Sequence, residues 1–233
     1  MPAKSEITWL AGLFAFAALA FSVFPQIDLA AARAFFVPGS GFPLGETAFA
    51  QGIYWLVWGG ARLAIAAFLL LWLASLAAKS GWLRARRRWF GFMLLAIVIG
   101  PGMIVDVGLK NHWGRARPEQ IRDFGGAQTF TVALRPASEC ARNCSFVSGH
   151  VSGVAALMSF GWLAAPARRR RWLAASIAAS LLVGVVRIAQ GGHFLSDVVF
   201  AWYAVWIGNA LAAWLLARTG QLARGEEIPE ILR

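Results

Sequence analysis

Long apolar runs, with basic residues gathered in the short segments between them, predict an all-α, polytopic integral membrane protein. Of the 233 residues, 59% are hydrophobic and only 14% are charged, and the mean hydropathy is +0.61. A water-soluble domain of this length needs no such excess of apolar surface. A bilayer-crossing helix takes about 20 mostly apolar residues. Six stretches meet that length, roughly 7–24, 53–78, 89–109, 147–165, 172–189 and 196–217. They predict a bundle of six transmembrane helices forming one membrane-embedded domain over residues 1–233, without an internal repeat.

The first run, Ile7 to Phe24, follows the single basic residue Lys4, and no small-x-small cleavage site follows it in a convincing position. It is expected to be a retained helix rather than a signal peptide. The connection 25–52, with its FFVPGSGFPLGE stretch, predicts a short interfacial helix and turns with aromatics in the headgroup layer. Arg84, Arg86, Arg87 and Arg88 precede the third run, and Arg168 to Arg171 precede the fifth. Basic clusters of this kind mark cytoplasmic loops and suit anionic lipid headgroups. Placing both termini and these two loops in the cytoplasm alternates correctly for six helices. The connections 25–52, 110–146 and 190–195 then face outward. The net charge of +11 is thereby explained by topology, not by nucleic acid. The expected surroundings are a bacterial inner membrane, with no obligate protein partner. Gly220 to Arg233 reads as a short polar cytoplasmic end. Cys140 and Cys144 lie in the outward loop, where their spacing admits a disulfide and equally two free thiols.

Three outward segments carry ionisable residues that a membrane protein does not place idly. In VRIAQGGHFLSD, Val186 to Asp197, the Gly191-Gly192 pair suggests a turn. His193 and Asp197 then stand four apart, on one face of the following helix. An imidazole held by a carboxylate is a candidate nucleophile or base. The bland alternative is a surface histidine with a helix-start aspartate. In KNHWGRARP, Lys110 to Pro118, Lys110, Arg115 and Arg117 put cations where the positive-inside tendency disfavours them. Such groups suit phosphate oxygens. Asp106, four residues before Lys110, is placed to orient it. In CSFVSGH, Cys144 to His150, Ser148 and Gly149 open a helix whose free N–H groups favour an anion. Ser148 could be an N-cap alone, but that leaves His150 unexplained, a residue placed to protonate a leaving oxygen.

The spacing Lys110-x6-Arg117-Pro118, then Ser148-Gly149-His150, then Arg187-x5-His193-x3-Asp197 resembles the type 2 phosphatidic acid phosphatases, whose superfamily includes the vanadium haloperoxidases. The motifs span 110–197, and the six-helix layout extends the likeness to nearly the whole chain. Val147 stands where the family usually has Pro, and Val186 where a Ser often precedes the Arg. The resemblance implies that His193 attacks phosphorus to form a phosphohistidine while Asp197 orients its ring. Lys110, Arg117, Arg187 and the Ser148 and Gly149 donors would hold the phosphoryl oxygens, and His150 would protonate the leaving alkoxide. Arg115 and His112 are expected to contact the headgroup. No metal or other cofactor is called for, since three cations supply the charge neutralisation. The partner is a phosphorylated membrane lipid, presented at the periplasmic face: phosphatidate, phosphatidylglycerophosphate, undecaprenyl diphosphate or lipid A. A lipid-to-lipid phosphotransferase is the alternative within enzymes. A non-catalytic transporter or binding protein is the alternative outside them.

Overall fold

A computed structural model describes residues 3–220; most of the polar end read above as cytoplasmic lies outside the described residues. Helices α1 (Lys4–Val23) and α2 (Gln26–Arg33) are followed by α3 (Ala48–Ala77) and the short α4 (Gly81–Ala85). Helix α5 (Arg87–Ile97) runs into a π-helical stretch, Val98–Leu109, and a last turn, α6 (Lys110–His112). Then come α7 (Gly149–Ala155), α8 (Met158–Trp162), α9 (Pro166–Ala189) and α10 (Leu195–Arg218). Among the described residues five helices are long and apolar enough to cross a membrane: α1, α3, the composite Arg87–His112, α9 and α10.

The run 147–165 is divided between α7 and α8, so five of the six expected spans are single long helices and one is two short ones. The π-helical winding coincides with Pro101. Proline has no N–H and its ring crowds the carbonyl one turn back, and a locally wider turn accommodates both defects.

The segment 166–171 is helical, not a loop. Helix α9 starts at Pro166, whose fixed φ and missing N–H suit the first helical position. Arg169, read from sequence as one of a headgroup-facing cluster, is buried. Its Nη2 lies 2.7 Å from Glu6 Oε1, and its Nη1 donates to the Trp162 carbonyl at 2.8 Å. It therefore ties α1, α8 and α9 together.

Helix α10 is the centre of the bundle and packs on the π-helical stretch, α5, α7 and α9. It crosses the π-helical stretch at Gly208 and Gly100, where a Cβ on Gly208 would strike the Gly100 backbone. Close crossings of membrane helices require such small residues. Phe146, Val151, Val198 and Phe200 form one core cluster, and Met93, Trp162 and Trp202 belong to another. Helices α1 and α3 turn apolar side chains outward, with Trp9 75% and Leu63 73% exposed, as helices solvated by lipid do. The connection 25–52 forms α2 and a 3₁₀ turn, Pro43–Glu46. Two of its aromatics do more than line the headgroup layer. Phe36 and Phe42 pack on Phe124 of the 110–146 connection, with ring centroids 5.1 and 5.6 Å away.

Candidate active site

Cys140 and Cys144 are joined by a disulfide, the first of the two states their spacing admits. The strap they close doubles back on the segment after α6. Cys144 N–H donates to the Lys110 carbonyl at 2.8 Å and Ser145 N–H to the Arg115 carbonyl at 2.9 Å. The Arg117 guanidinium donates to the Asn143 carbonyl at 2.9 Å. Asn143 has φ 52°, a left-handed conformation that asparagine tolerates. Gly114 has φ 72°, and a Cβ there would collide with the Ala137 carbonyl. Two backbone bonds tie the remaining segments together: Glu119 N–H to the Gly191 carbonyl at 3.0 Å, and Ser148 N–H to the Asp197 carbonyl at 3.2 Å. All three motifs are thus bonded into one region. Opening the Cys140–Cys144 bridge by Cys140→Ser is expected to cost about 2 kcal/mol, the constraint of a very short loop. Thermal unfolding with and without reductant measures it, and an unchanged midpoint would contradict it.

His193 is 1% exposed. Its Nδ1 lies 2.7 Å from the Ser145 carbonyl and 3.7 Å from Asp197 Oδ2. The nearer partner is the backbone carbonyl, with the expected carboxylate beyond it at ion-pair distance. A carbonyl only accepts, so Nδ1 carries the proton and Nε2 carries the lone pair. Asp197 is instead surrounded by donors: Arg115 Nη1 at 2.6 Å, Ser145 Oγ at 2.5 Å and Phe194 N–H at 2.8 Å. It stands behind the ring both directly, at ion-pair distance, and through its bond to Ser145. Burial first, and then the charges of Arg187 and Lys110, hold the His193 imidazole well below its ordinary pKa, against the opposing pull of Asp197. The ring is therefore neutral through the physiological range, with the Nε2 lone pair free. For a reaction in which His193 is the nucleophile, protonation removes the lone pair, so an acid limb below about pH 6.5 is expected. This is measured as kcat/KM against pH, corrected for titration of the substrate phosphate. A midpoint at or above that pH would contradict it.

Lys110 Nζ lies beside Gly149, 3.7 Å from where a Cβ on that residue would sit, and Asp106 Oδ1 is 3.4 Å from the same point. Arg187 is 6% exposed, lies against Gly192 and is bonded to Gln190. Its guanidinium carbon is 5.0 Å over the Tyr54 ring, and that ring packs on His150 with centroids 4.2 Å apart. The charges of Lys110, Arg117 and Arg187 all act on His150. His150 Nε2 and Arg187 Nε are buried polar atoms without a hydrogen-bond partner among the described residues. Ser148 Oγ sits 3.5 Å from Val151 N as the cap of α7. Because the Ser148 amide is bonded to Asp197, the first-turn donors of α7 itself are the amides of Gly149 and His150.

Arg115 is not a headgroup contact. None of its side chain is exposed, and its guanidinium lies between Asp28 at 2.8 Å and Asp197 at 2.6 Å. His112, by contrast, is exposed at the end of α6. Sequence reasoning missed Tyr54, Asp28, Ser145 and Ser196. Asp28 and Ser145 are single polar residues in connections, and Tyr54 and Ser196 stand at the starts of apolar runs, signals that fit residues of any role.

In this helical membrane protein three separate segments bring three cations and two histidines into one region. The chain belongs to the PAP2 superfamily, whose model matches residues 89–221. It is 32% identical over 207 residues to the lipid A 4′-phosphatase of Francisella tularensis subsp. novicida, covering 87% of this chain and 92% of that protein. It is 45% identical over 112 residues to the lipid A 4′-phosphatase of Rhizobium leguminosarum, covering 46% of each, so that match spans under half of either protein. A lipid A 1-phosphatase of Rhizobium etli is 33% identical over 135 residues, 58% of this chain and 53% of that protein. No solved structure gives a significant match.

Proposed function

We propose that this protein hydrolyses a terminal phosphate from a membrane lipid, and that the lipid is lipid A, attacked at its 4′-phosphate. The observation that carries the reading is the convergence of Lys110, Arg117, Arg187, His150 and His193 from three separate segments. The long match to a 4′-phosphatase, nearly end to end, favours that position over the 1-phosphate. The site lies at the periplasmic edge of the inner membrane, with both termini in the cytoplasm. An oxidised cysteine pair beside the site suits that compartment.

His193 Nε2 attacks phosphorus in line. The Nε2–P bond forms as the bond from phosphorus to the sugar oxygen breaks, while Nδ1–H stays on the Ser145 carbonyl. Lys110, Arg117, Arg187 and the first-turn amides of α7 hold the non-bridging oxygens, and positioning with electrostatics supplies most of the catalysis. A phosphoryl oxygen would satisfy the unpartnered Arg187 Nε. The negative charge it brings among three cations favours a proton on His150, which passes from Nε2 to the departing alkoxide. His150 then takes a proton from the water that cleaves the phosphohistidine.

The test is mass spectrometry of bisphosphorylated lipid A incubated with the purified protein in detergent. Loss of one phosphate from the 4′ position with the 1-phosphate retained is expected. Loss from position 1, or release from phosphatidate alone, would assign another substrate, and phosphate appearing on a second lipid instead of in water would make the protein a transferase. Orthovanadate, a five-coordinate phosphorus mimic, should inhibit and chelators should not. Activity lost to a chelator and restored by a metal would contradict a mechanism driven by side-chain cations.

A further inference from the structure

From Asp28, outside the three motifs, a buried polar cluster runs to the reacting imidazole. Asp28 belongs to α2, ahead of the residues that match the superfamily. It is 1% exposed and accepts from Ser196 N–H at 2.8 Å, Ser196 Oγ at 2.6 Å and Arg115 Nη2 at 2.8 Å. Arg115 is held at every nitrogen. Beyond Asp28 it donates to Asp197 Oδ1 at 2.6 Å, Ser196 Oγ at 2.8 Å and the Thr131 carbonyl at 2.9 Å. The Phe194 ring lies 4.2 Å beneath it. Asp197 fixes the Ser145 hydroxyl, and the Ser145 carbonyl holds His193 Nδ1. The path from α2 to the imidazole is unbroken.

A buried ion pair is weak evidence for a stabilising role, because well-packed apolar residues of the same volume often serve as well or better. What apolar residues cannot do is fix an orientation. The planar Arg115 fork sets the angle of Asp197 by bridging it to a second carboxylate on another element. We propose that Asp28 and Arg115 are positioning residues for phosphoryl transfer: they lock Asp197, and through it the Ser145 carbonyl that aims His193 Nε2 at phosphorus. None of these groups is among the cations that bind the phosphate. Disturbing the cluster should therefore slow the chemical step and leave ground-state binding in place. The inference rests on His193 being the nucleophile.

The experiment compares Asp28→Asn, Ser196→Ala and His193→Ala with wild type, using the full chain in detergent and the lipid substrate. It records kcat and KM per folded molecule, inhibition by inorganic phosphate, and the thermal midpoint. Asp28→Asn should lower kcat by about 10²-fold, the cost of a small misplacement of a reacting group. Its KM and phosphate inhibition should stay within about threefold of wild type. Ser196→Ala, which removes a hydroxyl shared by Asp28 and Arg115, should lower kcat about fivefold, the effect of losing roughly one hydrogen bond. A purely structural cluster would lower the midpoint and leave kcat per folded molecule unchanged. That outcome in either variant overturns the proposal, as does an equal loss in phosphate binding. If Asp28→Asn does not fold, Ser196→Ala decides alone. Retained activity in His193→Ala would instead sink the nucleophile assignment, so the two failures are distinguishable.

Discussion

His193→Ala should abolish phosphate release, with kcat falling by at least about 10⁴-fold in a protein that still folds. The ring's Nδ1 is committed to the Ser145 carbonyl, its Nε2 carries the lone pair, and the site is buried. The other histidine of the site, His150, packs on Tyr54 instead and is assigned the acid role. Removing it as His150→Ala should cost less, about 10²- to 10⁴-fold, because water can protonate a leaving group poorly but cannot replace the covalent step. The check is release of inorganic phosphate from lipid A by monodisperse variants matched in thermal midpoint. A protein that merely holds or carries a phosphorylated lipid would keep handling it without His193, and residual turnover near wild type would place this chain in that class.

The second large effect is on stability. Arg115→Met should destabilise the protein by about 3–5 kcal/mol, the range seen when one partner of a buried pair is removed and charge is left uncompensated. Here two carboxylates lose their partner at once. Asp28 and Asp197 are 1% and 0% exposed, too far from water for solvation to make up the difference. Arg115→Lys should fall between, since an ammonium cannot bridge both carboxylates while also reaching the Thr131 carbonyl. Denaturant unfolding in detergent measures both. A loss below about 1 kcal/mol for Arg115→Met, the size of an exposed pair, would show the cluster to be hydrated.

What could be read from the sequence divides along physical lines. Apolar runs mark bilayer-length helices whether lipid or other helices surround them, so the spans now seen as Lys4–Val23, Ala48–Ala77 and Leu195–Arg218 were visible within a few residues. Hydropathy averages over about 20 residues, which hides a break shorter than that. The turn between α7 and α8 was invisible for this reason, as was the start of α9 at Pro166 under four arginines. The three motifs were legible because each carries its chemistry in a short, ordered spacing. The cluster behind them was not. Asp28 and Arg115 are 87 residues apart, and neither has a neighbour in sequence that foretells the other. The His193–Asp197 spacing suggested direct contact, yet a backbone carbonyl occupies the nearer position, and a carbonyl leaves no trace in residue identities. Arg115 looked like a headgroup contact because sequence shows a cation in an outward loop and cannot show that two carboxylates bury it.

The central claim is that three separated segments present one phosphoryl group to the imidazole at position 193. Its most direct measurement is the covalent intermediate: rapid acid-free quenching of the enzyme with lipid A carrying a labelled 4′-phosphate, then peptide mapping. The account requires an acid-labile, base-stable phosphate on the peptide bearing His193, formed fast enough to precede phosphate release and missing from His193→Ala. Label on another residue, or full turnover with no labelled peptide at any time, would contradict it.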